Sequence, residues 1–154
     1  MRVLGIFYSL FAAGIILLYM VFAVFRLILG TSILRKSETE VLVKLGHQFG
    51  GLIMLLSRTK LKVEGADNFK SVPNGRRVFI VSNHESFLDI PCVLSVSPYP
   101  VGFVAKRELG RIPLLGFWIK KTGGVLYNRT DIRNAKKTLE AAVGEQESDR
   151  AILI

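Results

Sequence analysis

Val78-Phe79-Ile80-Val81-Ser82-Asn83-His84-Glu85-Ser86-Phe87-Leu88-Asp89-Ile90 is the stretch on which the fold turns. Its first four residues are β-branched or aromatic and uncharged, the composition of a buried strand. Ile90 to Val96 then suggests a helix, closed by Ser97-Pro98-Tyr99-Pro100. A buried strand followed directly by a helix is the opening of an α/β unit.

The alternation continues downstream. Val101 to Ala105 predicts a strand, Leu114 to Lys121 a short helix and Gly124 to Tyr127 another strand. Asp131 to Val143 predicts an amphipathic helix whose inner face is Ile132, Ala135, Leu139 and Val143. Ala151-Ile152-Leu153-Ile154 is a last β-like run. Upstream, Leu61-Lys62-Val63-Glu64-Gly65 alternates as a short strand would. Lys70 to Arg77, with Pro73, Asn74 and Gly75, predicts a loop. Residues 61–154 are therefore expected to form an α/β domain with a mainly parallel sheet.

The first sixty residues have another character. Val3 to Phe25 carries no charge and is long enough to cross a hydrocarbon core as a helix. It is long for the apolar region of a signal peptide, and no small-x-small cleavage site follows it. Arg2 precedes the run, and Arg26, Arg35 and Lys36 follow, which favours a cytoplasmic C-terminal side. A helix embedded in one leaflet fits the same residues. Ser37-Glu38-Thr39-Glu40 has the pattern of a capping box, with Ser37 as N-cap. Leu42, Leu45, Phe49, Leu52, Ile53 and Leu56 then form an apolar stripe at helical spacing. Gly46, Gly50 and Gly51 lower the helix propensity but permit close helix packing. Residues 1–60 are thus expected to be a membrane-associated two-helix hairpin.

Composition agrees with that division. The chain has 154 residues, half of them hydrophobic, and a formal net charge of +9. The charge favours anionic partners, and the apolar N-terminus makes lipid the better match. Nucleic acid is a poor one, because the cations are spread along the chain without a nucleic-acid motif. The single cysteine, Cys92, excludes an intrachain disulfide, and no Cys/His zinc spacing exists. Cys92 lies in the apolar run Ile90 to Leu94 and suits a small buried hydrophobe. His47, on the second helix, has no matching partner nearby and suits an ordinary helical position.

Open α/β sheets carry their chemistry at the carboxyl ends of strands. His84 and Asp89 fall just beyond the strand that starts at Val78. Histidine moves protons near neutral pH. A carboxylate on one ring nitrogen fixes the tautomer and raises the basicity of the other. Five residues would not put both on one face of a regular helix, but a turn carrying His84 could bring them together. Ser86-Phe87-Leu88-Asp89 also fits a capping box, with Asp89 serving only the helix terminus. A later start, with Asp89 itself as the cap, suits Pro91 better. The spacing alone serves either role.

Asn-His-x-x-x-x-Asp after a buried strand resembles the first motif of the glycerolipid acyltransferases, especially the 1-acyl-glycerol-3-phosphate acyltransferases. Ala105-Lys106-Arg107-Glu108-Leu109-Gly110-Arg111-Ile112-Pro113 resembles that family's Ala-Lys-x-Glu-Leu-x-x-Ile-Pro stretch. Gly123-Gly124-Val125-Leu126-Tyr127-Asn128-Arg129 is similar to its second motif, which commonly ends Ile-Asp-Arg. Here Asn128 replaces the aspartate, and only Arg129 is carried over.

The resemblance implies transfer of a fatty acyl group from acyl-CoA or acyl-carrier protein to the sn-2 hydroxyl of lysophosphatidate, without a cofactor. His84 would be the general base and Asp89 its orienter. Lys106 and Arg129 would bind the acceptor's phosphate. Arg107, Arg111, Lys120 and Lys121 are expected to face anionic lipid or the carrier. The implied location is a bacterial cytoplasmic membrane, with the α/β domain on the cytoplasmic side. A third family motif, Phe-Pro-Glu-Gly-Thr-Arg, would follow the strand at which the sequence ends. The chain therefore reads as a piece of a longer enzyme, inactive alone. A different glycerolipid acceptor and a non-catalytic lysophospholipid-binding fragment are the alternatives.

Overall fold

The computed structural model describes residues 2–72, 78–83, 85–127, 140 and 150–154. His84, Arg129 and nearly all of the expected helix from Asp131 to Val143 lie outside the described residues. Among the described residues four α-helices and four strands are delimited: α1 (Arg2–Ile28), α2 (Glu38–Leu56), β1 (Val78–Ile80), α3 (Asp89–Val96), β2 (Val101–Lys106), α4 (Pro113–Lys121), β3 (Val125–Tyr127) and β4 (Ala151–Leu153).

The sheet is parallel throughout, in the order β1-β4-β2-β3. The last strand enters between the first two: Ala151 pairs with Val78 on one side and with Val101 on the other. All three residues of β4 are buried, Ala151 completely, as a central parallel strand covered on both faces demands. Burying Ile152 and Val101, each 1% exposed, stabilises the fold by roughly 1.5–3 kcal/mol apiece. Gly123, at φ 80°, ends α4. It donates to the Lys120 carbonyl and Gly124 donates to that of Ile119, the left-handed terminus that glycine permits. The chain can then turn straight into β3.

The expected strand at Leu61 to Gly65 does not form. The segment is extended but pairs with no strand among the described residues. Leu61 and Val63 stay exposed, and Lys62 ion-pairs with Glu64 in solvent. Alternation makes a strand only where a neighbour exists to cover one face.

The two N-terminal helices form an antiparallel pair. A π-helical turn, Leu29–Ile33, and a short connection link them. Tyr8 donates to the Leu56 carbonyl at one end and Tyr19 to that of Leu45 further along. Ala23 and Leu27 of α1 bury against Val41, Leu42 and Leu45 of α2. Together α1 and the turn give one stretch, Leu4–Ile33, long and apolar enough to cross a membrane. α2 begins directly after Ser37, as the capping box predicts, but the Ser37 hydroxyl makes no capping bond. Glu40 instead pairs with Lys44 at 2.6 Å.

α2 also packs along α3, in the opposite direction. Gly46 faces Leu94, Gly50 faces Pro91 and Ser95, and Met54 reaches Cys92. His47 Nε2 lies 2.7 Å from the Ser97 carbonyl oxygen, so this histidine has the structural role expected of it. The antiparallel run brings the end of α2 to the start of α3. The hairpin is fastened at its other end by charge. Glu38, in the first turn of α2, holds Lys121 at 2.7 Å and Arg150 at 3.1 Å. Lys121 was expected to face lipid or the carrier; it is spent on this pair. Trp118 Nε1 adds a hydrogen bond to the Met20 carbonyl at 3.3 Å.

The hydrogen bond from Lys121 and the nearby Arg150 charge hold the Glu38 carboxyl below the usual carboxylate range, against the effect of burial. Its folded value thus lies under the unfolded value of 4.5, and its stabilisation is complete above that pH and lost as pH falls through the folded value. Glu38→Gln is expected to cost about 1 kcal/mol at neutral pH, after discounting for its partial exposure. The difference from the parent should vanish in acid, measured by urea unfolding with Trp118 fluorescence. A Cβ on Gly50 would sit 2.7 Å from the Ser95 amide nitrogen, whereas one on Gly51 meets nothing within 4 Å. Gly50→Leu should therefore destabilise by roughly 1–3 kcal/mol. Gly51→Leu should be neutral or stabilise by up to about 1 kcal/mol in the same unfolding measurement.

Candidate functional site

In a parallel sheet every strand ends on the same edge. β1 delivers Val81 to Asp89 there, β2 delivers Lys106, and β3 ends at Tyr127, opposite Lys106 in register. Asp89 is the first residue of α3, and Pro91 is the third, where its missing N–H breaks no helical bond. The helix thus starts later than the Ser86 box predicts, but with Leu88 rather than Asp89 at the N-cap position.

Asp89 does not cap forward. Its Oδ2 accepts the backbone N–H of Glu85 at 2.9 Å and that of Ser86 at 2.8 Å. Ser86 Oγ in turn accepts the N–H of Leu88 at 3.1 Å. The bond to Ser86 is the reach-back half of a capping box, so the structural role considered for Asp89 is real. The two amides belong to the residues that follow His84 in the sequence, and bonding them pins the carboxylate to the turn at Glu85 and Ser86. Asn83 Nδ2 donates to Glu85 Oε1 at 2.7 Å, tightening the same turn.

Lys106 is exposed at the last position of β2. The sheet therefore brings Asp89 and Lys106 to one edge, with β4 between their strands. Arg129 follows β3 by two residues and His84 precedes Asp89 by five, both outside the described residues. Cys92 lies one turn into α3, half-buried beside Met54. Burial first and the Asp89 charge second push its thiol up, which opposes thiolate formation and a nucleophilic role. No group of three or more His, Cys, Asp and Glu residues poised to hold a metal occurs among the described residues. The Glu38–Lys121–Arg150 cluster has no signal in the sequence, because its members are 83 and 112 residues apart.

Asp89→Ala removes the acceptor of two turn amides and is expected to lower stability by about 1–2 kcal/mol. Asp89→Asn keeps an oxygen for them and should cost less than half as much. Thermal unfolding of the two variants beside the parent checks the order.

A family model for acyltransferases matches residues 60–154, the whole α/β part of the chain. A 1-acyl-sn-glycerol-3-phosphate acyltransferase of Helicobacter pylori is 35% identical over 75 residues, covering 49% of this chain and 32% of the relative. A lysophospholipid acyltransferase of Arabidopsis thaliana is 40% identical over 76 residues, covering 47% of this chain and 19% of the relative. The chain thus spans about a third or less of the curated relatives it matches. The crystal structure of the 1-acyl-sn-glycerophosphate acyltransferase of Thermotoga maritima superposes with a TM-score of 0.75 over 99% of this chain and 61% of that one, at 24% identity. That likeness extends the fold match across the N-terminal helices as well as the sheet. With the matched segment coinciding with the sheet domain and holding Asp89 and Lys106 on its carboxyl edge, the chain belongs to the acyltransferase family.

Proposed function

We propose that this chain carries the acyl-transfer site of a membrane-anchored lysophosphatidate acyltransferase. The observation that carries the reading is the Asp89 carboxylate, pinned beyond the carboxyl end of β1 by the backbone amides of the two residues that follow His84 in the sequence. Relatives named for that activity support it.

In this reading His84 takes the proton of the sn-2 hydroxyl as the oxygen attacks the thioester carbonyl of acyl-CoA or acyl-carrier protein. Asp89 holds the ring in the tautomer that can accept, and stabilises the imidazolium that results. The new C–O bond forms, the C–S bond breaks, and the leaving thiolate recovers the proton from His84. A thiolate is a good leaving group because its conjugate thiol has a pKa near 8.5. No cofactor and no covalent acyl-enzyme are required. Lys106 and Arg129 neutralise the acceptor phosphate, the arginine through its planar fork.

The acceptor is a lipid, so the site must reach a membrane. α1 supplies the anchor. Residues 4–11 of α1 are exposed almost all round, whereas Ala23 and Leu27 are buried against the rest of the fold. An upright crossing by the whole helix would draw α4 and Trp118 into the bilayer. The N-terminal half therefore enters one leaflet while the C-terminal half stays docked. The α/β domain would then remain on the cytoplasmic side, where thioester donors are made.

A second acceptor class has its own support. The Arabidopsis relative is named as a lysophospholipid acyltransferase, and Asn128 departs from the aspartate of the resembled motif.

Membranes from cells expressing the chain extended past Ile154 should move labelled acyl groups from thioester to lysophosphatidate. His84→Ala should lower the rate by at least about 10³-fold, and Asp89→Asn by about 10²–10⁴-fold. Full activity in His84→Ala would refute the base. Lys106→Met should raise KM for lysophosphatidate more than it lowers kcat. Equal turnover of lysophosphatidate and a zwitterionic lysophospholipid would favour the second acceptor class.

A further inference from the structure

The carboxyl edge of the sheet carries more than the reacting groups. Phe87, in the turn held by Asp89, is 95% exposed, and Val81 at the end of β1 is 83% exposed. Ile112, after β2, and Leu55, at the end of α2, are exposed as well. A turn fastened by three hydrogen bonds keeps the Phe87 ring in water, where hydration opposes it.

Cations flank these apolar side chains on two sides. Arg58 and Lys60 follow α2, whose last turn meets the first turn of α3 through Met54 and Cys92. Thr59 donates back to the Met54 carbonyl, which holds this segment at that end. Arg58 has φ 55° and lies 5.5 Å over the Tyr8 ring of α1. Arg107 and Arg111 occupy the 3₁₀ turn that follows β2. All four are exposed, and none has an ion pair among the described residues. At the opposite end of the hairpin Lys121 and Arg150 are committed to Glu38, while Arg35, Lys36 and Lys120 are exposed and have no ion pair among the described residues. Positive charge therefore lies at both ends, and the site end is set apart by Phe87, the most exposed large apolar side chain, beside its four cations.

We propose that this edge is an anionic-lipid docking face, on which Phe87 and Ile112 enter the bilayer while Arg58, Lys60, Arg107 and Arg111 bind phospholipid phosphates around them. An acidic carrier protein would match the charge but not the fully exposed phenylalanine between the cations; a lipid surface matches both. The inference rests on the membrane-anchored reading and adds to it a selectivity for charge that the apolar helix α1 does not supply. The acceptor's own charge would then be met by a surface already rich in anionic lipid.

The test is flotation of the purified chain with phosphatidylcholine vesicles and with vesicles containing roughly one third phosphatidylglycerol. The parent should bind both and prefer the anionic vesicles, with the preference collapsing in high salt. The variant R58Q/K60Q/R107Q/R111Q should keep its binding to neutral vesicles and lose on the order of 100-fold of the anionic preference. Phe87→Trp in a Trp118→Phe background should be quenched by brominated lipid. Trp118 fluorescence of the quadruple variant reports whether the hairpin remains docked. If it undocks, the pairs R58Q/K60Q and R107Q/R111Q, each expected to lose on the order of 10-fold, replace it. Equal binding of the parent to both vesicle types, or an anionic preference untouched by the variants, overturns the proposal while leaving the anchor intact. Binding to neither overturns both. Unchanged vesicle binding with a raised KM for acyl-carrier protein assigns the cations to the carrier and overturns the lipid assignment.

Discussion

Pairing of β4 on both its edges is the constraint from which the site's layout follows. β1 and β2 do not touch; Ala151, Ile152 and Leu153 hold them apart at one strand's width and in register. Without β4 the turn after β1, with Asp89, and the end of β2, with Lys106, would have no fixed relation. Ala151 follows Val101 by 50 residues and Val78 by 73, so both pairings of β4 are non-local. Such non-local pairing is slow to form, since loop closure must precede the contacts that reward it. The fully buried β4 therefore couples assembly of the sheet to assembly of the site.

A second constraint sets which way that edge faces. α2 lies antiparallel to α3, and α1 antiparallel to α2, so the start of α1 and the start of α3 are at the same end. Gly46 and Gly50 make this possible by letting α3 approach α2 closely. The glycines that weaken α2 as an isolated helix are thus the residues that orient it. The Glu38 cluster closes the opposite end. Hydrophobic contact supplies most of the stabilisation along the hairpin, and the ion pairs fix its angle to the sheet.

Much of this was legible before any coordinates. β1, β2, β3 and β4 and the helices α3 and α4 fall where β-branched runs and helical spacing predict, because a buried parallel strand and a packed helix each leave a local signature. The failures share one cause. The strand expected at Leu61 needed a neighbour, the Ser37 capping box needed Glu40 to forgo Lys44, and Lys121 needed not to meet Glu38. Each depends on what lies across space, which spacing along the chain does not encode. The sheet order is of the same kind: alternation of strand and helix predicts parallel strands but not that the last one enters second.

Asp89 shows why a structural and a catalytic assignment need not exclude each other. A helix-start carboxylate normally satisfies amides of its own first turn, and then has no bearing on residues before it. Here the carboxylate faces backwards, to the amides of Glu85 and Ser86. The two bonds hold the carboxylate in one place on the turn. In the proposed reading the capping geometry also serves as preorganisation for a histidine base: the energy that orders the turn in the resting protein would be the energy that positions the carboxylate for the reaction.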